Sequence, residues 1–259
     1  MSNKYFCCSD IHGFYTIFKK SLEEKEFDIN NKDHILIICG DLFDRGSEAK
    51  ELLDFLSSIP KDRLLLIKGN HEDLLEDCLF QLENHINISS HHWYNGTVDT
   101  IAQLTDTNKY DLMCGLYKYS LIKKKLSKYF KLIKNCKNYL EIKDYIFVHG
   151  WIPHIRDYKT LTTVDESEWC SARWLNGMAE WHRGNKLDNK TIVCGHWHVT
   201  ESNMKFHNSG SGKFDKDGDF LPFIDRGIIA IDGTVAFTGH VNVIVIDECG
   251  NLINNGRIE

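Results

Sequence analysis

Between Lys4 and Glu72 the chain repeats one pattern: a short apolar run of β-forming residues, then a loop of Gly, Asp and His or Asn. Lys4 to Cys8 runs into Asp10-Ile11-His12-Gly13, His34 to Cys39 into Gly40-Asp41, and Leu64 to Lys68 into Gly69-Asn70-His71-Glu72. Asp10 and Asp41 are 31 residues apart, and Asp41 and Asn70 are 29 apart, the length of a strand–helix–strand crossover. Phe14 to Leu22 and Glu48 to Phe55 carry apolar residues at helical spacing, and Pro60 stops the second before the third strand. Loops that follow the carboxyl ends of neighbouring strands share one crevice, so these polar residues are expected to converge.

Farther along, Asp73 to about Lys137 reads mainly as helix. Its lysine-rich part, Lys118 to Lys137, could be taken for a phosphate-binding surface. Ile122, Leu126, Tyr129, Phe130 and Ile133 recur every three or four residues within it, so the lysines read as the solvated face of packed helix. From Tyr139 the pattern turns to short strands: Tyr139 to Ile142 and Tyr145 to Val148 form a hairpin that ends in His149-Gly150, and Thr191 to Cys194 leads into Gly195-His196-Trp197-His198. Gly227 to Ile231, Thr234 to Phe237 and His240 to Asp247 read as further strands, and Ser209 to Gly218 as a mobile surface loop. No linker or shift of composition divides the chain, so residues 1–259 are expected to form a single domain.

Composition narrows the classes of function. Hydrophobic residues make up 42% and charged residues 26%, ordinary globular usage that excludes a fibrous or disordered chain. No apolar stretch is long enough to span a membrane, and Met1 to Cys8 reads as a strand entering a loop, not as a signal peptide. Thirty-one basic against thirty-seven acidic side chains leave a net charge of −6, which argues against wrapping long nucleic acid but allows small phosphorylated substrates. The nine cysteines form no Cys-x-x-Cys pair. Cys7, Cys8, Cys39 and Cys194 sit in apolar runs, as reduced core thiols of a cytoplasmic protein do.

Asp10, His12, Asp41, Asn70, His149, His196 and His198 all follow predicted strands and offer carboxylate, imidazole or amide donors. Such oxygen and nitrogen donors without thiolate suit Mn²⁺, Fe or Zn²⁺, and they are too many for one ion. A carboxylate shared between two ions would set them roughly 3.5–4 Å apart, the arrangement that activates hydroxide for in-line displacement at phosphorus.

Ser9-Asp10-Ile11-His12-Gly13, Gly40-Asp41-Leu42-Phe43-Asp44-Arg45-Gly46, Gly69-Asn70-His71-Glu72, His149-Gly150 and Gly195-His196, in that order, resemble the motifs of the phosphoprotein phosphatase family of calcineurin-like metallophosphoesterases, in their bacterial and phage form. The resemblance covers about Lys4 to His198. It implies an α/β fold of four layers, αββα, in which a central β-sandwich of mixed strands is flanked by helices and carries a dinuclear site at one edge. It also implies that Asp10 and His12 hold one ion, that Asp41 bridges, and that Asn70, His149 and His196 complete the second. The ions would be divalent, Mn²⁺ first, with Fe or Zn²⁺ as alternatives. His71 would be the general acid, oriented by Asp44, and Arg45 and Asn70 would bind the phosphoryl group. Attack by a hydroxide between the ions requires no phosphoenzyme.

Glu72 is the least committed motif residue, since an acid there also suits the first turn of a helix. Gly-His-Trp-His carries a second histidine that many family members lack, so His198 is either an extra ligand or a rim residue. Arg173, in Cys170-Ser171-Ala172-Arg173-Trp174, resembles the second phosphate clamp of bacterial and phage relatives, and Trp93-Tyr94-Asn95-Gly96-Thr97 a stretch expected at the substrate entrance. The implied activity is hydrolysis of phosphate monoesters on phosphorylated protein serine or threonine, or on a small phosphorylated substrate. The alternatives are a symmetrical dinucleoside polyphosphate hydrolase and a phosphodiesterase on small nucleotides.

Overall fold

The structure is a computed structural model that describes residues 3–154 and 158–254. The first three apolar runs form parallel strands, β1 (Lys4–Cys8), β2 (His34–Cys39) and β3 (Leu64–Ile67). The second half supplies β4 (Leu140–Ile142), β5 (Tyr145–Phe147), β6 (Thr191–Cys194), β7 (Phe223–Asp225), β8 (Ile228–Ala230), β9 (Ile244–Asp247) and β10 (Leu252–Asn254). One sheet has the order β10-β9-β1-β2-β3 and the other β4-β5-β6-β8-β7. Within the second sheet β5, β6 and β8 are parallel. Each sheet is therefore mixed, with three parallel strands whose carboxyl ends carry the polar loops.

Alternation along the strands creates the layers, because successive side chains point to opposite faces. Cys7, Ile37, Cys39, Ile67, Ile244 and Ile246 of the first sheet pack against Phe147, Val193 and Ile229 of the second. Phe6, Cys8, Leu36 and Ile38 point the other way, into a core shared with α1 (Tyr15–Glu24), α2 (Ala49–Ser58) and α3 (Asn70–Glu83). The outer face of the second sheet, with Ile146, Ile192 and Ile228, is covered by Trp151, Trp169 and Met178. This is the expected sandwich of two mixed sheets between helices. Cys7, Cys8, Cys39 and Cys194 are buried, and burial pushes the Cys7 and Cys39 thiols well above their ordinary range, so they act as small core residues.

The lysine tract forms helices Tyr119–Lys125 and Ser127–Ile133, with Ile122, Leu126 and Tyr129 buried and the lysines exposed, as their spacing predicts. One predicted strand is corrected: the run Thr234 to Phe237 is overlapped by a helical turn, Val235–Thr238, between Thr234 and Gly239 in left-handed conformations. A four-residue apolar run is equally compatible with a buried strand or a buried turn. The loop Ser209 to Gly218 lacks helix and strand, yet it is tied internally by bonds such as Ser211 Oγ to Asp215 Oδ1 at 2.7 Å. Among the described residues no helix is long and apolar enough to cross a membrane.

Candidate metal centre

Six loops, three from each sheet, meet at one edge of the sandwich. They carry Asp10, Asp41 and Asn70 from the first sheet and His149, His196 and Asp232 from the second. Asp10, His12, Asp41, Asp44, Arg45 and His196 all have positive φ, between 50° and 74°. Left-handed backbone costs a residue with a side chain about 1–2 kcal/mol, so so many in one place reflects packing that holds the loops against their own preference. Gly40 makes the close approach possible: its φ is +83°, and a Cβ there would lie 2.6 Å from both His149 Nδ1 and the Gly69 Cα.

Asp41 lies at the middle. Its Oδ1 accepts the His71 backbone N–H at 3.0 Å and lies 3.2 Å from His149 Nε2, while Oδ2 is 3.7 Å from His12 Nε2 and 3.9 Å from His71 Nε2. It belongs to two groups of donors within 4.8 Å of one another, His12–Asp41–His71 and Asp41–His149–His196. Asp10 joins them: Oδ1 lies 3.8 Å from His12 Nε2, and Oδ2 accepts the His196 backbone N–H at 2.9 Å. Asn70 Oδ1 lies 2.7 Å from His149 Nε2.

The donors suit divalent ions for two physical reasons. First, His12 Nδ1 donates to the Phe43 carbonyl at 3.1 Å, His149 Nδ1 to the Cys39 carbonyl at 2.7 Å, and the His196 imidazole bonds the Trp174 carbonyl. In the first two rings this turns Nε2 toward the carboxylates, the orientation that metal-ligating histidines obtain from a carbonyl behind them. Second, negative charge is crowded. Burial, with Asp232 and Asp41 nearby, pushes the Asp10 carboxyl up to about 8 against the opposing pull of His149, as crowding of carboxylates does. Burial raises the Asp41 carboxyl, but His149 and His71 outweigh it and hold Asp41 well below the usual range. Burial lowers His149, but the Asp41 and Asp10 carboxylates outweigh it and raise its imidazole to about 10. Burial and Arg45 lower His12 to about 3, so it stays neutral.

Beside this centre, Asp44 Oδ2 lies 2.7 Å from His71 Nδ1 and also accepts the Thr97 hydroxyl at 2.9 Å, while Oδ1 accepts the Thr100 hydroxyl at 2.7 Å. Thr97 and Thr100 sit at the start of α5 (Thr97–Thr105), after the short α4 (Ser90–Tyr94). Thus the Trp93-to-Thr97 stretch braces Asp44 from behind; its Tyr94 is exposed. Arg45 spans the front, with Nη1 2.9 Å from His12 Nε2 and Nη2 3.1 Å from His71 Nε2. Burial lowers His71, but Asp41 and Asp44 outweigh it and leave its imidazole raised.

Glu72 caps the amino end of α3 and does more: its carboxylate accepts the backbone N–H groups of Gly69 at 2.7 Å, Asp41 at 3.0 Å and Leu42 at 2.9 Å. One side chain thus locks the loops after β2 and β3 together.

Two expected residues make their bonds away from Asp41. His198 Nδ1 bonds Asp232 Oδ2 at 3.0 Å and lies 2.9 Å from the Thr234 hydroxyl, and its ring meets Phe214 edge-on. Arg173 is buried and donates to Asp73 at 2.7 Å, to Asn138 at 2.5 Å and to Glu166, with no hydrogen bond or ion pair to the central cluster among the described residues. Its backbone is close, since a Cβ on Gly150 would collide with the Arg173 and Ala172 carbonyls. Asp232, which faces both His198 and Asp10, was missed in the sequence, although Ile231-Asp232-Gly233 repeats the apolar-run-then-Asp pattern of the other loops.

The sequence profile of the calcineurin-like phosphoesterases matches residues 4–227. The chain belongs to that family. A metallophosphoesterase of this kind acts on phosphoesters with divalent metal, which is the chemistry the donor groups around Asp41 suit. Over 64 residues the chain is 44% identical to the symmetrical bis(5′-nucleosyl)-tetraphosphatase of Buchnera aphidicola, a match spanning 25% of this chain and 22% of that enzyme's length. Among solved structures it is similar to a protein serine/threonine phosphatase of Saccharomyces cerevisiae, with TM-score 0.56 and 16% identity over 94% of this chain and 72% of the other. A putative diadenosine tetraphosphatase matches with TM-score 0.51 and 15% identity over 97% and 92%. These structural likenesses concern the fold.

Proposed function

We propose that this phosphoesterase hydrolyses its substrate directly at a dinuclear centre, with Asp10, His12, Asp41, Asn70, His149 and His196 holding two divalent ions, Mn²⁺ first. The observation that carries the reading is the chain of contacts Asp44–His71–Arg45–His12 laid across the shared Asp41. When bound, the ions supply Lewis acidity at phosphorus and a water nucleophile of lowered pKa. Arg45 presents a planar pair of donors to the phosphoryl oxygens. His71 Nε2 accepts from Arg45 Nη2 in this structure and is free to carry the proton for the leaving oxygen once Arg45 engages the phosphoryl oxygens, while Asp44 keeps its Nδ1 side engaged so that the imidazole stays oriented. Thr97 and Thr100 prevent the Asp44 carboxylate from turning away. Arg173, committed to Asp73 and Glu166, shapes the loop beside His149 and leaves Arg45 as the phosphoryl clamp; His198 supports the centre through Asp232.

The substrate read first is a phosphorylated serine or threonine of a protein, hydrolysed as a monoester. A symmetrical dinucleoside polyphosphate is favoured as the second by the local identity to the Buchnera tetraphosphatase. Metal-stripped protein assayed with and without Mn²⁺ on a phosphothreonine peptide, diadenosine tetraphosphate and bis-p-nitrophenyl phosphate tests both. Metal-dependent turnover is expected, and the preferred compound chooses the class. Silence on all three with two ions bound overturns the reading.

A further inference from the structure

Of the six tryptophans in the chain, the two that are exposed both flank the same imidazole. Trp174 is 43% and Trp197 44% exposed, and their ring centroids lie 5.7 Å and 6.0 Å from that of His196, at interplanar angles of 89° and 82°. The two loops are joined: Trp197 Nε1 points to the Trp174 carbonyl at 3.5 Å, and the same carbonyl receives the His196 imidazole. Both indoles meet His196 edge to face, and neither has a stacked aromatic partner among the described residues. His91, also exposed, stands beside Trp174 at 6.4 Å. Isolated exposed apolar residues are ordinary, but two indoles converging on one ring of the catalytic edge form a surface for a flat partner.

We propose that Trp174 and Trp197 are a stacking subsite for the nucleobase of a nucleotide substrate. This rests on the reading of the centre around Asp41 as the site of phosphoester hydrolysis, and it directs that reading toward nucleotides. The position selects the ligand. A ring bonded directly to the ester oxygen, as in an aryl phosphate, lies next to phosphorus, in the space faced by Arg45 and His71. A ring on Trp174 or Trp197 lies against His196, whose donor atom is within 4.8 Å of that of Asp41, so it reaches the centre past that imidazole and needs a spacer such as a ribose between base and phosphoryl group. Base-on-indole stacking tolerates different bases, because every base offers a π-face. The subsite therefore distinguishes a nucleotide from a phosphate lacking a base, with little discrimination among bases.

The test compares adenosine 5′-monophosphate with ribose 5-phosphate, which differ by the base alone, as ligands of the Mn²⁺-loaded protein in calorimetry. The nucleotide is expected to bind roughly tenfold or more tightly, in line with the usual effect of one stacked base. Trp174→Ala and Trp197→Ala should shrink that ratio, and Trp174→Phe and Trp197→Phe should retain most of it. Equal binding of the two ligands by the unaltered protein overturns the proposal, and needs no variant to fold. A loss of affinity for both ligands in equal proportion in the alanine variants assigns the indoles to the support of His196 and also overturns it. Base-dependent binding without hydrolysis of diadenosine tetraphosphate counts against the dinucleotide reading and leaves the subsite standing. Hydrolysis of that compound with no base-dependent binding does the reverse.

Discussion

His71 combines two environments that make one proton useful: Asp44 holds Nδ1, and Nε2 faces Arg45 and Asp41. His71→Ala should leave the metal content unchanged while lowering kcat by roughly 10²–10⁴, the usual contribution of a general acid. Metal analysis and steady-state kinetics on one preparation check this, and unchanged turnover removes His71 from the role. The sign of the pH dependence follows from the raised imidazole: the acid must be protonated, so activity falls as pH rises through its pKa. Asp44→Asn removes one of the charges that raise it, and the alkaline limb of the rate profile should move to lower pH. Asp41→Asn acts differently, because Asp41 stands between the two sets of proposed ligands, its Oδ2 toward His12 and its Oδ1 toward His149. Metal occupancy and activity should fall together, and full occupancy in that variant overturns the proposed role of Asp41 as a ligand shared by two ions.

At the scale of elements, the site depends on loops that are individually strained and jointly braced. Glu72 binds three backbone N–H groups from two loops, so Glu72→Ala leaves buried donors without a partner. A loss on the order of 3 kcal/mol in denaturant unfolding is expected, since each such donor costs about 1–3 kcal/mol. Gly96, at φ +82°, lets the start of α5 lie against the Arg45 backbone, where a Cβ would collide with the Arg45 nitrogen. Gly96→Ala should destabilise the protein by at least the roughly 1–2 kcal/mol of a left-handed residue with a side chain, and should lower turnover by displacing Arg45 and Asp44. A melt and a rate measured together test this: a variant as stable and active as the original contradicts the bracing by α5. These roles were only partly legible in the chain. Asp44 and Arg45 stood out as motif residues, whereas Thr97 and Thr100 look like ordinary helix-start threonines until α5 is seen against the loop after β2.

Across the whole molecule, the centre couples metal, protons and stability. Asp10, raised to about 8, and His149, raised to about 10, hold protons in the folded metal-free chain that the unfolded chain has already released over part of that range. Both therefore stabilise the metal-free fold less as pH rises: Asp10 from about 4 to 8, and His149 from about 6.5 to 10. On the proposed ligation by Asp10 and His149, bound Mn²⁺ would displace those protons, so the rise in Tm on adding it should grow between pH 6 and pH 8. Thermal melts with Mn²⁺ and with a chelator check the sign, and a larger rise at pH 6 contradicts it. The sequence alone determined the apolar runs of β1 to β3, their crossover spacing and the donors that follow them, because run length and loop chemistry are local properties; the sandwich of two sheets between helices was implied by the family resemblance. It did not resolve β7 and β10, three-residue edge strands with too little pattern to read, nor the helical turn at Val235–Thr238. Only the tertiary structure decided that Asp232 stands behind His198 and near Asp10, that Arg173 turns to Asp73 and Glu166, and that Trp174 and Trp197 meet at His196. Those relations depend on how loops from different sheets cross in space, and no spacing along a single chain encodes that crossing.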